Sequence, residues 1–189
     1  MKTLITSSAF LVLIALTSCN PAAQYEKEIA KIDSCLTIID SIEIKYNGIE
    51  FDSLDYMVKH VLDNEDKIKQ YYTPDTISME IGMRMNECKG IRKTLKGVKS
   101  KESKYLLEME ELRSQLLNLK EDISNGVLKK EQIDEYLAQE LHDLNILNVS
   151  FTDFYEMQKL QKGYFYFSTP AIDSLVEEIT KDKSLEQPL

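Results

Sequence analysis

The feature that most constrains the fold is a long repeat of apolar residues in the middle of the 189-residue chain. The repeat advances in steps of four and three residues, and only Arg84 and Glu102 interrupt it. Apolar residues at this spacing form a stripe along a helix, and a stripe kept for about six heptads is typical of coiled-coil packing. A continuous helix of this length would be about 70 Å long. The positions are Ile77, Ile81, Cys88, Ile91, Leu95, Val98, Tyr105, Met109, Leu112, Leu116, Leu119 and Ile123.

A second apolar stripe follows a polar turn at Ser124-Asn125-Gly126. The glycine of this turn can adopt the left-handed conformation that commonly ends helices. We therefore expect the two stripes to be the arms of one antiparallel helical hairpin spanning residues 73–162. Glu140 fills one position of the second stripe, whose apolar members are Ile133, Leu137, Leu144, Leu147, Phe151 and Phe154.

Both arms look weakened at one level of this hairpin. In the predicted register Glu102 faces Ser150. The first arm contains Gly97 and several polar residues at this level, while Ser150 and Asp153 have the spacing of a capping box, which starts helices. The sequence therefore predicts a kink or a break here in both arms.

Two further helices are predicted over residues 24–72. The first carries an apolar stripe that ends at Tyr46, before Asn47-Gly48, and the second runs from Ser53 to about Tyr72. A lone hairpin would leave much of its apolar seam in water, so it needs another helical partner. We expect this partner to come from the same chain; a second copy, forming a homodimer, is the alternative. The predicted fold is all-α: an elongated helical bundle built on a long antiparallel coiled-coil-like hairpin.

The last segment, 163–189, opens with a run of aromatic residues. We expect Gly163 to stop the preceding helix, and Thr169 and Pro170 to cap and begin a last helix over residues 171–182. In one interpretation the aromatic run is a contact patch for a protein or for the membrane interface. In the other, which we favour, its rings seal the last helix onto the bundle. The run consists of Tyr164, Phe165, Tyr166 and Phe167.

No catalytic residue, metal site or cofactor is predicted. His60 and His142 lack the glutamate three positions earlier that ferritin-like di-iron bundles use. The sequence also has no His-Glu-x-x-His, Cys-x-x-Cys or phosphate-binding glycine motif. Arg84, Glu102 and Glu140 interrupt the stripes and could line a polar pocket, although such residues more often set helix register. We therefore expect a protein without enzymatic activity.

The charge of the chain limits its partners. It has 23 basic and 32 acidic residues, which gives a formal net charge of −9. Nucleic acids and anionic lipid surfaces are bound by a basic face. The composition therefore argues against nucleic acid as a partner.

The start of the chain has the layout of a secretory signal, with Lys2, an apolar run over residues 9–16 and small residues after it. The run is shorter than the about 20 apolar residues that span a bilayer. The sequence Leu16-Thr17-Ser18-Cys19 resembles the lipobox of bacterial lipoproteins. The resemblance implies that residues 1–18 are a signal peptide, removed by cleavage between Ser18 and Cys19, and that the Cys19 thiol carries a diacylglyceryl group.

This resemblance also implies a location. Two or three acyl chains on Cys19 would anchor the protein stably in a lipid bilayer. Asn20 stands where enteric lipoproteins retained in the inner membrane have an aspartate, which favours the outer membrane of a bacterial cell envelope. Residues 19–23 would then be a short tether between the anchor and the first helix.

Once Cys19 is acylated, Cys35 and Cys88 are the remaining thiols. Export places them in an oxidising compartment, where a disulfide between them is chemically allowed. Two buried free cysteines are the alternative, because the geometry of a disulfide is restrictive.

Taken together, these features predict a lipid-anchored envelope protein that binds another envelope protein or scaffolds an assembly. The alternative is a carrier of a small ligand or hydrophobic cargo, in which the aromatic run and the carboxylates of the seam surround an internal pocket.

Overall fold

The computed structural model describes residues 21–186, and this part of the chain contains helices and no strand. The all-α prediction is therefore confirmed. The helices are α1 (Pro21–Gln24), α2 (Glu26–Asn47), α3 (Phe51–Tyr71), α4 (Met79–Leu95), α5 (Val98–Ser124) and α6 (Lys130–Glu186).

Helix α6 is the element against which the other long helices pack. It contains 57 residues and is therefore about 85 Å long. Helices α2 and α5 pack against each other and against α6, and α3 and α4 form a second such set with α6. The contact of Lys130 with Glu28 places α2 beside the start of α6, and the contact of Asp173 with His60 places α3 beside its later part. Along most of its length, α6 thus lies beside two other helices, so that the bundle has three helices at each level.

The two sets meet at a cluster of aromatic side chains near the middle of α6. The ring of Phe51, at the start of α3, stacks on Phe154 of α6 with centroids 6.0 Å apart. Tyr105 of α5 contacts Phe151 edge to face at 5.4 Å, and its hydroxyl donates a hydrogen bond of 3.0 Å to the Ser150 carbonyl. This contact lies within one helical turn of the register predicted from the sequence.

Only the first of the two predicted arms breaks at this level. Lys96 and Gly97 separate α4 from α5, and Gly97 has a φ of 71°, in the left-handed region that favours glycine. Glu102 therefore lies inside α5. The break predicted at Ser150 is wrong: its hydroxyl donates to the carbonyl of Leu147 in the same helix instead of capping a new one.

The first arm consequently consists of two helices. Helix α4 begins at Met79, where the Ser78 hydroxyl caps it by accepting a hydrogen bond from the Ile81 amide. Ile77, the first position predicted for the stripe, lies outside α4 and is exposed. A single long coiled-coil hairpin is therefore not established, whereas the two helices predicted before it are present as α2 and α3.

The C-terminal segment does not form a separate helix. Gly163 and Pro170 both lie inside α6, so the helix end predicted at the glycine and the start predicted at the proline are wrong. A proline in a helix interior costs about 3 kcal/mol, because it removes an N–H donor and crowds the preceding turn. Helix α6 continues because Phe165 and Ile172, on either side of the proline, are buried in the bundle. Thr169, predicted as a cap, instead donates to the Phe165 carbonyl at 2.6 Å.

The apolar stripes predicted from the heptad spacing form much of the buried core. On α4 and α5 the stripe is buried from Cys88 to Ile123, and on α6 it is buried from Ile133 to Phe154. Helices α2 and α3 cover these stripes with their own apolar faces. The buried residues of these faces include Ile32, Ile39, Ile42, Leu54, Met57, Val61 and Ile68.

The ion pairs between helices share one property in the described part of the chain: each includes a residue of α2, of α3 or of the turn between them. In all of these pairs but one, the residue of α2, α3 or the turn is a carboxylate and its partner is an Arg or Lys of α4, α5 or α6. The exception is the pair between His60 of α3 and Asp173 of α6, which are 2.8 Å apart. Solvent screens such pairs, so each contributes little to stability. Together they fix which sides of α4, α5 and α6 face α2 and α3. The carboxylate pairs are Glu28–Lys130, Asp33–Lys120, Asp40–Arg113, Glu43–Arg113, Glu50–Lys162, Asp52–Lys99 and Glu65–Arg92.

Two adjacent leucines of α5 test this arrangement. Leu116 is completely buried, whereas Leu117 is 49 % exposed. We expect Leu116→Ala to lower the free energy of unfolding by about 2–5 kcal/mol, because it leaves a cavity in the core. The matched control Leu117→Ala should change it by less than about 0.5 kcal/mol. Urea denaturation followed by circular dichroism measures both, and equal losses would contradict the packing described.

Candidate functional site

A row of exposed apolar side chains runs along one side of α6, and we call it the α6 stripe. Its members follow one another in steps of three and four residues, except where Asp153 intervenes, so they share one face of the helix. Leu160 is 49 % exposed and Phe167 is 62 % exposed. Exposed apolar side chains that lie together commonly mark an interaction surface. The stripe consists of Ile146, Val149, Met157, Leu160, Tyr164 and Phe167.

The four aromatic residues over 164–167 do not form one patch, because successive side chains of a helix point about 100° apart. Phe165 is buried, with its ring centroid 6.4 Å from Tyr56 and 5.7 Å from His60 of α3. The rings of Tyr164, Tyr166 and Phe167 are exposed to different degrees. Phe165 therefore seals α6 onto α3, while Tyr164 and Phe167 belong to the α6 stripe.

A cation borders the C-terminal end of the α6 stripe. The guanidinium of Arg84, in α4, lies 3.7 Å from the centroid of the Phe167 ring, which is a cation–π contact. Its Nη1 atom is 3.6 Å from Glu87, which in turn accepts a hydrogen bond from the buried Ser168 hydroxyl of α6. These contacts join α4 to α6 beside the stripe.

A groove between α5 and α6 adjoins the α6 stripe, and we call it the α5–α6 groove. It contains two clefts of about 230 and 200 Å³ that share Gln115, and both are open to solvent. Ile146 of the α6 stripe lies in the first of them, with Leu112 and Leu147 beneath it. The carboxylates that line the groove are Glu108, Glu111, Asp122, Glu140 and Asp143.

Glu140 is the most unusual carboxylate of this groove. Its Oε2 atom is buried and has no hydrogen-bond partner. Burial, and then the negative charge of Asp143, raise the pKa of the Glu140 carboxyl above its ordinary value of 4.5. The pKa of the nearby Cys35 thiol, in α2, is raised mainly by burial and further by Glu140. Glu140 therefore lies between the core and the groove.

The three polar residues that interrupt the predicted stripes do not meet. Arg84 contacts Phe167, Glu102 forms an ion pair with Lys99 of its own helix, and Glu140 lies in the α5–α6 groove. They are located at three levels of the bundle, and no common pocket of the three is formed.

His60 takes part in a small polar network near the end of α3. Its Nε2 atom lies 2.8 Å from Oδ1 of Asp173, and Asn64 donates to the same oxygen at 2.6 Å. Among residues 21–186 no hydroxyl or thiol hydrogen-bonds His60, so the network lacks the nucleophile that a histidine base would activate. The same residues contain no group of three or more side chains placed to hold a metal ion.

The two cysteines of the bundle are free and buried. Cys35 lies in α2 and Cys88 in α4, which belong to different sets of helices, so the disulfide that the sequence allowed is not formed. Burial, followed by the charges of carboxylates that include Glu65 and Glu87, raises the pKa of the Cys88 thiol to about 11. A thiol of this kind stays protonated at neutral pH and is a poor nucleophile.

Ser18 and Cys19, the predicted cleavage and lipidation residues, lie outside the residues that the structure describes. Within the described residues, none of the helices has the length and hydrophobicity needed to cross a membrane.

No protein-family model, curated protein or solved structure matches this chain. The candidate site therefore stands on its own geometry.

The α5–α6 groove is not among the features predicted from the sequence, although a signal for it exists. Glu108, Glu111 and Asp122 flank the apolar stripe of the first arm, and Asp143 flanks that of the second. Residues that flank the seam of a coiled coil commonly pair with opposite charges across the two helices. Carboxylates on both arms leave such an interface without ion pairs, and this pattern can be read from the sequence.

The raised pKa of Glu140 predicts a pH-dependent effect of Glu140→Gln. The unfolded chain loses this proton at a lower pH than the folded protein, so the carboxyl's contribution to stability is fully present below pH 4.5 and is lost as the pH rises through the folded pKa. The glutamine side chain of the variant does not ionise. Its stability relative to the native protein should therefore rise across this window and level off at higher pH.

Urea denaturation from pH 4 to 7 measures this difference. The matched control is Glu111→Gln, which removes an exposed carboxylate of the same groove. The same pH dependence in both variants would contradict burial as the cause.

Proposed function

We propose that this chain is a lipid-anchored protein of the bacterial cell envelope that acts as a protein-binding or scaffolding module and has no catalytic activity. The observation that carries the proposal is the α6 stripe, a line of apolar side chains on the outside of the helical bundle. A monomer gains nothing from exposing these side chains, whereas a protein partner that covers them removes apolar surface from water.

The position of the α6 stripe favours a protein over the bilayer as its partner. One residue, Asn20, separates the predicted anchor Cys19 from α1, and α1 contacts α5. The start of α6 lies at the same end of the bundle, because Lys130 pairs with Glu28 near the start of α2. At 1.5 Å per residue the stripe begins about 24 Å and ends about 55 Å along α6. A bundle anchored at Cys19 would hold the stripe away from the membrane.

For the finer architecture, we propose that α4 and α5 together pack on α6 as an interrupted antiparallel hairpin, around which the bundle is built. Two contacts support it. Tyr105 of α5 bonds to Ser150, whereas Arg84, earlier in the chain, contacts Phe167, which is later. The order of the partners is therefore reversed along the two arms.

The absence of catalytic activity remains part of the proposal. His60 pairs with a carboxylate and an amide, and the Cys88 thiol is held protonated by its surroundings. Neither arrangement supplies an activated nucleophile.

The alternative function, a carrier of small apolar molecules, has less support. Pockets that enclose such ligands commonly measure about 300–1,000 Å³. The clefts between α6 and its neighbours α4 and α5 measure about 230, 200 and 260 Å³ and are open to solvent. The residues that line these three clefts do not include 164–167. The grooves are better suited to side chains of a protein than to an enclosed ligand.

Site-specific photocrosslinking tests the proposed function. We expect p-benzoylphenylalanine in place of Leu160, on the α6 stripe, to give a discrete protein adduct in the cells that produce this chain. The matched control is Ile44, an apolar residue of α2 that is 75 % exposed, where no such adduct should form. The absence of an adduct at Leu160, or equal adducts at both sites, would contradict the proposal.

Labelling with a fatty-acid probe tests the anchor separately. The native protein should be labelled and recovered in the outer-membrane fraction, because acyl chains on Cys19 provide the membrane affinity. The Cys19→Ala variant should lose the label. Equal absence of label from both proteins would contradict lipidation.

A further inference from the structure

The α5–α6 groove differs from the other interfaces of the bundle in its electrostatics. Every ion pair between helices in the described residues includes α2, α3 or the turn between them. Within residues 21–186, no Lys, Arg or His lies within ion-pair distance of the groove carboxylates Glu111, Asp122, Glu140 and Asp143, and Glu108 pairs with Lys104 of its own helix. The negative charge of this groove is therefore not neutralised across the two helices that form it.

The groove also offers apolar contacts. Ile146 is 53 % exposed, and Leu112 and Leu147 lie beneath it. Glu140 contributes a buried oxygen that lacks a hydrogen-bond partner. A buried acceptor without a donor costs free energy.

The dimensions of the groove fit a helix. From Glu108 to Asp122 it follows 15 residues of α5, and the 14 steps between them span about 21 Å at 1.5 Å per residue. It lies between two long helices, so a further helix can pack its side chains between theirs. At its Glu108 end the groove reaches the α6 stripe through Ile146.

From this combination we infer that the α5–α6 groove binds an amphipathic helix of a partner protein, with apolar residues on one face and Lys or Arg along its edges. The inference rests on the proposed function and specifies the partner's chemistry. The apolar face of this helix covers Ile146, and its cations pair with Glu111 and Asp143 on opposite sides of the groove.

A second copy of this chain fits the groove poorly. Two copies that met through their α5–α6 grooves would place Glu111, Asp122 and Asp143 against the same residues of the other copy. Like charges brought together in this way weaken association. A cationic helix has the complementary charge.

Binding of designed peptides tests the inference. The full-length chain is placed in nanodiscs of zwitterionic lipid. An 18-residue helical peptide, with leucine on one face and lysine along its edges, is titrated by fluorescence anisotropy against empty nanodiscs as the blank. We expect the peptide to bind, and we expect this binding to weaken as the salt concentration is raised. A peptide in which glutamate replaces every lysine should not bind.

Matched variants locate the binding site. The double variant Glu111→Gln/Asp143→Asn should weaken binding of the cationic peptide by about tenfold, because it removes two ion pairs at the groove. The control Glu110→Gln/Glu121→Gln removes the same charge from exposed residues of α5 that do not line the clefts of the groove, and should change affinity by less than about twofold. The four residues are at or near the surface, and circular dichroism verifies that both variants fold.

The outcomes separate the two proposals. No binding of the cationic peptide, equal binding of both peptides, or an equal effect of the two double variants would overturn the groove assignment. If the crosslink at Leu160 still formed, the proposed function would stand without it. If that crosslink were also absent, the proposed function would fail too.

Discussion

The structure depends on the burial of two apolar stripes, one along α4 and α5 and one along α6. Each stripe is too long and too apolar to remain in water, and the two together cannot cover each other completely. Helices α2 and α3 complete the burial, one beside each half of α6. Their carboxylates pair with Arg113, Lys120, Lys130 and other cations of the later helices. Apolar burial thus stabilises the bundle, and the ion pairs select the faces that α2 and α3 cover.

This division of charge explains where the exposed surfaces lie. The cations of α5 and α6 that reach α2 and α3 form ion pairs with those helices. The carboxylates of the α5–α6 groove are therefore left without these cations as partners. The α6 stripe is likewise exposed because α2, α3, α4 and α5 already cover the opposite sides of α6. An elongated bundle with one apolar and acidic side is well suited to bind a partner along its length. The proposed anchor at Cys19 would orient that side along the direction leading away from the membrane.

Much of the fold could be predicted from the sequence because heptad spacing reports burial directly. The stripes from Cys88 to Ile123 and from Ile133 to Phe154 are buried, and α2 ends at Asn47 as predicted. Local signals were less reliable where packing opposed them. Gly163 and Pro170 are both compatible with a helix end, yet buried residues around them hold α6 continuous. The site could be predicted only in part, since the exposure of Leu160 and the missing partners of Glu111 depend on which helices become neighbours.

Small-angle X-ray scattering, combined with sedimentation equilibrium, on a chain beginning at Asn20 tests the central claim that one chain supplies all three helices at each level. We expect the mass of a monomer and a maximum dimension of about 90 Å, set by the length of α6. A dimer would contradict it, because a second copy would then be needed to cover the stripes. A compact monomer would contradict it as well, because α6 could not then be one continuous helix.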